Sequence, residues 1–308
     1  MKLDAIASER HYADHLLPVW RALEGDITEG SLTLPGAAPG RIQWGATPVL
    51  VASSKDARTA TRKGHPVTLM EHGADQSYTG VDHPSHNGAS DRNGVILYLA
   101  PNEGAAEVHR AVHPTIPVAV VGCPKLDALL DVPRPTEPCV AITHHWNTGI
   151  APETRPAFPH FCSAYPGLAQ RFPTIAHAHP RAAGPQSVWF KRHKFTWVPS
   201  FPDVVAQATV LVVDNSSAGM EWMALDRPVV WLNAPWYRRD VHHGGRFWER
   251  AAGGIQIDHP DQLESAVAAS IAGDPLSGER RRIVPSIYAN LGSATQAAAD
   301  AIRSRLSV

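Results

Sequence analysis

The sequence predicts an α/β protein of two domains, each a parallel sheet covered by helices. Three observations carry that expectation. Short Val-, Ile- and Leu-rich runs recur along the chain and stop at polar, Gly or Pro residues, as strands buried on both faces do. Helix-patterned segments lie between several of them, the connection that parallel strands need. A stretch with three prolines in eight residues, 131–138, separates two such sets and reads as a linker. The 308 residues suffice for two domains of ordinary size.

In order, residues 3–23 read as an opening helix. Strands are expected over 48–52, 67–70, 95–99 and 118–121, with helices over 53–63 and 103–112 between them. Past the linker, strands are expected over 140–143, 174–178, 210–213 and 229–232, with helices over 166–172, 217–225 and 262–272. Residues 286–306 are Ala-rich and helical in pattern. The resulting domains are 1–134 and 135–285, with the tail 286–308 packing back on the first.

Composition narrows the function. Hydrophobic residues make up 44% and charged residues 19%, which suits a globular chain and not a disordered one. Lys and Arg number 28 against 29 Asp and Glu, so the basic excess that non-specific nucleic-acid binding requires is missing. Three cysteines, widely spaced and without a C-x-x-C pair, point to a reducing compartment rather than a disulfide or zinc framework. The N-terminal stretch carries Asp4, Glu9 and Arg10 and has no signal-peptide core. No apolar run reaches the length of a membrane span. The expectation is a cytoplasmic protein without stable membrane insertion, with peripheral membrane contact left open.

The most informative segment is Thr209 to Glu221. A buried strand ends in Asp214-Asn215-Ser216-Ser217 and leads into a helix with Gly219 near its start. Helix N-termini present unpaired N–H groups and the positive end of the dipole, a ready cradle for phosphate. Asp214 stands at the strand end, where open α/β sheets bind ligands, and Glu221 lies one helical turn on. Ser and Asp are also ordinary helix caps, so capping alone accounts for the same residues.

Three further strand ends carry polar groups. His179-Pro180-Arg181 follows the strand at 174–178; His179 can donate to a phosphate and Arg181 can add charge-assisted bonds. His177 and His179 also form a candidate metal pair, but no third ligand has suitable spacing, so no metal is expected. Met70-Glu71-His72-Gly73 follows another strand. Gly73 permits close backbone approach, and His72 is a candidate general base for a hydroxyl acceptor. Gly122-Cys123-Pro124-Lys125 reads as a structural turn, with Lys125 facing the cleft. The run Trp189 to Trp197 mixes aromatic and basic residues, a pattern of single-stranded nucleic-acid or membrane surfaces; a solvated basic loop before a strand is the plainer reading. Residues 238–246 read as a polar, Gly-containing loop that either lines the donor site or is ordinary surface.

His72-Gly73, Gly122 through Asp127, His179-Pro180, Asp214-Asn215-Ser216-Ser217, Glu221 and Leu225-Asp226-Arg227-Pro228-Val229 occur in an order that resembles the CDP-glycerol:poly(glycerophosphate) glycerophosphotransferases of teichoic-acid synthesis. The resemblance implies a GT-B-like fold, two Rossmann-like domains facing each other across a cleft. It implies His72 as acceptor base and His179 at the donor diphosphate. It places Ser216 and Ser217 on phosphate and Glu221 near the donor ribose. The chain departs from the pattern at Asn215, where the family has an aromatic residue. It departs again at Thr143-His144-His145-Trp146-Asn147, where the family reads Pro-Thr-x-Arg, and after Gly73, where Ala74-Asp75-Gln76 replaces a run to Lys.

The leading expectation is therefore a transferase that moves a glycerophosphate or glycosyl group from a nucleotide-diphosphate donor to an acceptor hydroxyl. No cofactor beyond the donor and no metal is required, because His179 and the Ser216 helix end stabilise the phosphate charge. The acceptor type, a nucleic acid included, stays open. Two other classes compete. One is a serine hydrolase with Ser217 as nucleophile, since Asn215-Ser216-Ser217-Ala218-Gly219 differs from G-x-S-x-G at its first position, served by Asp240 or Asp258 and His259. The other is a catalytically inactive nucleotide-binding protein.

Overall fold

A computed structural model of the chain describes residues 1–36, 47–74, 93–149, 151–240 and 250–306. The chain divides into two compact units: most residues up to Ala128 with the segment from Ser286 onward, and Leu129–Pro285.

The first unit runs β1 (Asp4–Ile6), α1 (Arg10–Leu23), β2 (Leu32–Thr33), β3 (Val49–Val51), α2 (Ser54–Arg62), β4 (Val67–Met70), β5 (Val95–Ala100), α3 (Glu103–Val112) and β6 (Val118–Val120), and the chain leaves it along α4 (Pro124–Leu130). Its sheet has the order β2-β1-β3-β4-β5-β6, and every pairing is parallel. β3 and β4 are buried along their whole length, as strands of a parallel sheet covered on both faces are. Local chemistry starts the helices: Ser53 caps α2 by accepting from Asp56 N at 3.0 Å, and Asn102 caps α3 by accepting from Ala105 N at 2.8 Å.

The second unit runs β7 (Val140–Thr143), α5 (Phe158–Phe161), α6 (Tyr165–Arg171), β8 (Thr174–Ala176), α7 (Ala183–Arg192), β9 (Thr196–Trp197), α8 (Phe201–Gln207), β10 (Val210–Val213), α9 (Ser217–Ala224), β11 (Val229–Leu232), β12 (Ile255–Ile257), α10 (Leu263–Gly273) and α11 (Ser277–Ile287). Its parallel sheet has the order β12-β11-β10-β7-β8-β9. The chain then returns to the first unit as α12 (Ala294–Leu306). There Ala298, Ala299 and Ile302 share a core with Leu16, Val19 and Leu23 of α1. No helix among the described residues is long and apolar enough to cross a membrane.

Several expectations need correction. Residues 3–23 are not one helix: β1 precedes α1, and its Asp4 is buried because its carboxylate accepts from both the backbone N–H and the hydroxyl of Ser31 at 2.8 Å. Residues 286–306 are the end of α11 and all of α12, parted by a turn in which Asn290 has φ 48. The turn at Pro124 opens α4, with proline at the helix start where its missing N–H costs nothing. The run at 189–197 is neither a solvated loop nor an aromatic binding surface. It is the end of α7 plus β9. Phe190 and Phe195 lie in the core, with Trp189 and Trp197 packed against it.

Candidate functional site

Strand order marks the candidate ligand edge of the second unit. From β7 the chain builds outward through β8 and β9, then crosses to the other side of β7 and builds β10, β11 and β12. The direction reverses between β7 and β10, and ligands of open α/β sheets bind at the carboxyl ends of strands that flank such a reversal. Those ends are Thr143 and Val213, and the residues after them are His144-His145-Trp146 and Asp214-Asn215-Ser216-Ser217.

Asp214 is the keystone of this edge. It is 0% exposed. Its Oδ1 accepts from His145 N at 2.8 Å, and its Oδ2 from Ala157 N at 2.8 Å and from His144 Nδ1 at 3.0 Å. His144 Nε2 lies 2.8 Å from the Tyr165 hydroxyl. Burial pushes the Tyr165 phenol well above its usual 10, and the Asp214 charge adds to it. The phenol thus keeps its proton and donates to Nε2, so the imidazole donates from Nδ1 to Asp214. Burial by itself would raise the Asp214 carboxyl; the electrostatic attraction and hydrogen bond of His144, with those of His145, outweigh it and hold Asp214 below 3.8. A buried network satisfied in this way fixes its members.

The same edge is roofed by the segment after β7. Asn215 donates from Nδ2 to the Glu153 carbonyl. The buried Glu153 carboxylate takes both Nε and Nη2 of Arg238, at 2.5 and 2.7 Å, a bidentate pair. Tyr237 donates from its hydroxyl to the Arg155 carbonyl at 2.6 Å. Residues 151–157 are thereby tied to the ends of β10 and β11.

Beside this roof lie the expected phosphate contacts. Ser216 is the N-cap of α9, and its hydroxyl accepts from Ala218 N at 3.3 Å. Ser217 is the first helical residue and is half-buried. His179 N donates to the His144 carbonyl at 3.0 Å, which joins the exit of β8 to that of β7. His179 Nδ1 accepts from Arg181 N at 3.2 Å, so the neutral ring carries its proton on Nε2. Arg181 is exposed, with its guanidinium carbon 4.6 Å from the Trp146 ring centre. His179 stacks on Trp146 at 5.9 Å and 29°.

Two expected contacts lie below the surface. Asp214 spends its oxygens on His144, His145 and Ala157, and so orients the edge rather than meeting a ligand. Glu221 is 2% exposed on the inner side of α9. Gly219 also has a packing cause: a Cβ there would stand 2.2 Å from the Trp231 ring, so glycine lets α9 approach β11. His177 is buried and hydrogen-bonded to the Thr143 hydroxyl at 2.8 Å, which separates it from a metal role with His179. Among the described residues no group of three or more His, Cys, Asp or Glu is placed to hold a metal ion. No histidine hydrogen-bonds Ser217 among the described residues, and Asp258, one carboxylate named for the hydrolase reading, is engaged by Asn233 and Arg239. Of the polar loop 238–246, residues 241–246 lie outside the described residues.

In the first unit the chain reverses between β1 and β3. At the end of β4, Gly73 has φ 103, a conformation open to glycine. The half-buried His72 ring packs edge-on against Tyr12 at 4.7 Å, with His11 at 6.2 Å and His15 at 6.4 Å. Burial first, then the charge of Lys125 and the neighbouring His72 and His11 rings, hold His15 well below the usual 6.5. Lys125 thus belongs to this cluster, with Cys123 Sγ 3.6 Å from His15 Nδ1. Sequence reasoning missed His11, His15, His144 and Tyr165 as site-building residues, because each meets its partners only through the sheet order.

No protein-family model matches the chain, and no curated protein matches it by sequence. Solved structures match it by fold. The wall teichoic acid polymerase TagF, in a variant soaked with CDPG, aligns with 99% of this chain and 88% of its own at TM-score 0.67 and 11% identity. The MnaA–UDP structure from S. aureus aligns with 100% of this chain and 97% of its own at 0.66 and 15%. A putative UDP-N-acetylglucosamine 2-epimerase from Listeria monocytogenes aligns with 99% and 96% at 0.65 and 14%. The chain has the two-domain α/β fold of the GT-B type that these proteins share.

Proposed function

We propose that the protein is a transferase that binds a nucleotide-diphosphate-linked donor in the Leu129–Pro285 unit and passes a glycerophosphate or glycosyl group to an acceptor hydroxyl. One observation supports the reading: Ser216 and Ser217 follow β10 and His179 and Arg181 follow β8, the two strands that flank β7 in the parallel sheet. In this reading the positive end of the α9 dipole faces the diphosphate, with the Ser217 hydroxyl beside it. His179 donates from Nε2 and Arg181 adds charge-assisted bonds. Stabilising the charge that develops on the leaving nucleotide is the main contribution of such groups to the rate. His72 of the first unit takes the proton from the acceptor hydroxyl. With a CDP-glycerol-like donor, the acceptor oxygen bonds to the β-phosphorus as its bond to the bridging oxygen breaks, and CMP leaves with the electron pair. With a nucleotide sugar, attack is at the sugar carbon and the nucleoside diphosphate leaves.

The fold likeness to a putative UDP-N-acetylglucosamine 2-epimerase and to the MnaA–UDP structure supports a second reading, in which the same cradle holds UDP while the sugar is rearranged without an acceptor. A thermal-shift panel of CDP-, UDP-, GDP- and ADP-linked donors separates the readings, because a ligand that binds only the folded chain raises Tm. The expected result is stabilisation by one base class, weakened in Ser217→Ala and His179→Ala. His72→Ala should bind donor and fail to turn over. Full activity of His72→Ala removes it as the base, and conversion of UDP-GlcNAc without an acceptor selects the epimerase reading.

A further inference from the structure

The half-buried Trp146 takes no part in the functions assigned above, yet the turn that carries it is anchored. It follows His144 and His145, whose ring and backbone are both tied to the buried Asp214. His145 Nδ1 is also 3.2 Å from the Thr154 carbonyl. The ring that emerges from this anchored turn lies under the Arg181 guanidinium, whose carbon is 4.6 Å from the ring centre, and stacks with His179. Trp146 therefore touches both candidate phosphate ligands at the exit of β8.

Resting on the nucleotide-diphosphate reading, we infer that Trp146 is a positioning residue that holds the Arg181 guanidinium ready for the donor diphosphate. An exposed arginine has many rotamers, and ordering it on ligand binding costs affinity. A tryptophan face within about 6 Å of the cation removes part of that cost in advance. Stacking engages the flat face of the guanidinium, whereas phosphate recognition uses its N–H edge, so the two contacts are compatible. The aromatic and the arginine come from the ends of β7 and β8, neighbouring strands, which gives the pair a rigid base.

A double-mutant cycle on the full chain tests this, with Kd for CDP and UDP measured by titration calorimetry on wild type, Trp146→Leu, Arg181→Ala, the double variant and Trp146→Phe. Trp146→Leu is expected to weaken the nucleoside diphosphate that binds by about five-fold, the size of an ordinary cation–π contact. Trp146→Phe should recover most of the loss, since a flat face remains. The double variant should be no weaker than Arg181→Ala; a further loss there would show that the tryptophan acts through its stack on His179 instead. Additive losses, an unchanged Trp146→Leu, or an Arg181→Ala that binds like wild type would each overturn the inference while leaving the donor reading in place. A wild-type chain that binds neither nucleotide would overturn both.

Discussion

The two units reach their candidate sites by the same route and furnish them differently. In each, a buried strand beside the reversal point ends at a serine that caps the next helix: β3, Ser53 and α2 in the first, β10, Ser216 and α9 in the second. In the second unit a single buried carboxylate, Asp214, collects the His144 ring and the backbone N–H groups of His145 and Ala157, so the edge is held by filled hydrogen bonds. In the first, His72 sits among His11, His15 and Lys125, groups of one sign when protonated. A site built on a buried carboxylate has one stable arrangement over a wide pH range. A site built on clustered imidazoles depends on how many carry a proton.

The largest test of that contrast is Asp214→Asn. The amide keeps the volume but removes the charge and replaces one accepting oxygen by a donor that faces N–H groups. Removing one partner of a buried pair leaves the others unsatisfied. A loss of about 3–5 kcal/mol is expected in denaturant unfolding of the second unit. A loss under about 1 kcal/mol, the size of an ordinary hydrogen bond, would break the keystone argument. Gly219→Ala comes next. Its Cβ would enter the Trp231 ring at 2.2 Å and approach Val213 at 2.9 Å, and overpacking of this kind costs about 1–3 kcal/mol. A variant as stable as wild type, measured the same way, would show that α9 can shift freely, and with it the serine cradle.

Much of this arrangement was legible in the chain. Buried strands announce themselves as short, largely apolar runs, so residues 67–70, 210–213 and 229–232 match β4, β10 and β11. Helix 103–112 matches α3 because Asn102 marks its start. β2, β9 and β12 are two or three residues long, too short for a period to show, and β1 hides a buried Asp4 that looks like surface. The strand–serine–helix turn at Ser216 was readable because its parts are adjacent. The pairing of Asp214 with His144 was not, because 70 positions separate them. Nothing in the local sequence distinguishes His144 from the other histidines; only the strand order β7-β10 does.

Acidification tests the contrast over a smaller range. His15 is held below 6.5 in the folded chain, so above that pH it is neutral folded or unfolded and contributes no pH dependence. As the pH falls through 6.5 the unfolded chain takes the proton first, and the first unit loses about 1.4 kcal/mol per pH unit from this group. Asp214 is held below 3.8, so its contribution is present above that value and is lost only as the pH falls past it. Amide exchange should therefore show β3 and β4 losing protection between pH 7 and 5 while β7 and β10 keep theirs. His15→Gln should flatten the first slope. Equal loss in both units would mean that the histidine cluster is not what distinguishes them.

The smallest effect bears most directly on the serine turn. Ser53 accepts from Asp56 N at 3.0 Å, a well-formed cap, whereas Ser216 accepts from Ala218 N at 3.3 Å. If both are only caps, Ser53→Ala costs about 1 kcal/mol and Ser216→Ala somewhat less, and neither changes donor binding. If Ser216 helps shape a phosphate cradle, its alanine variant is still nearly as stable as wild type, but the Tm gain from the stabilising nucleotide donor shrinks. The Ser53→Ala chain should keep that gain in full. Thermal melts of both variants with and without donor separate the cases, because capping acts on the folded chain alone whereas the cradle acts on its affinity for ligand. An undiminished donor shift in Ser216→Ala would return this serine to the role that its hydrogen bond to Ala218 already describes.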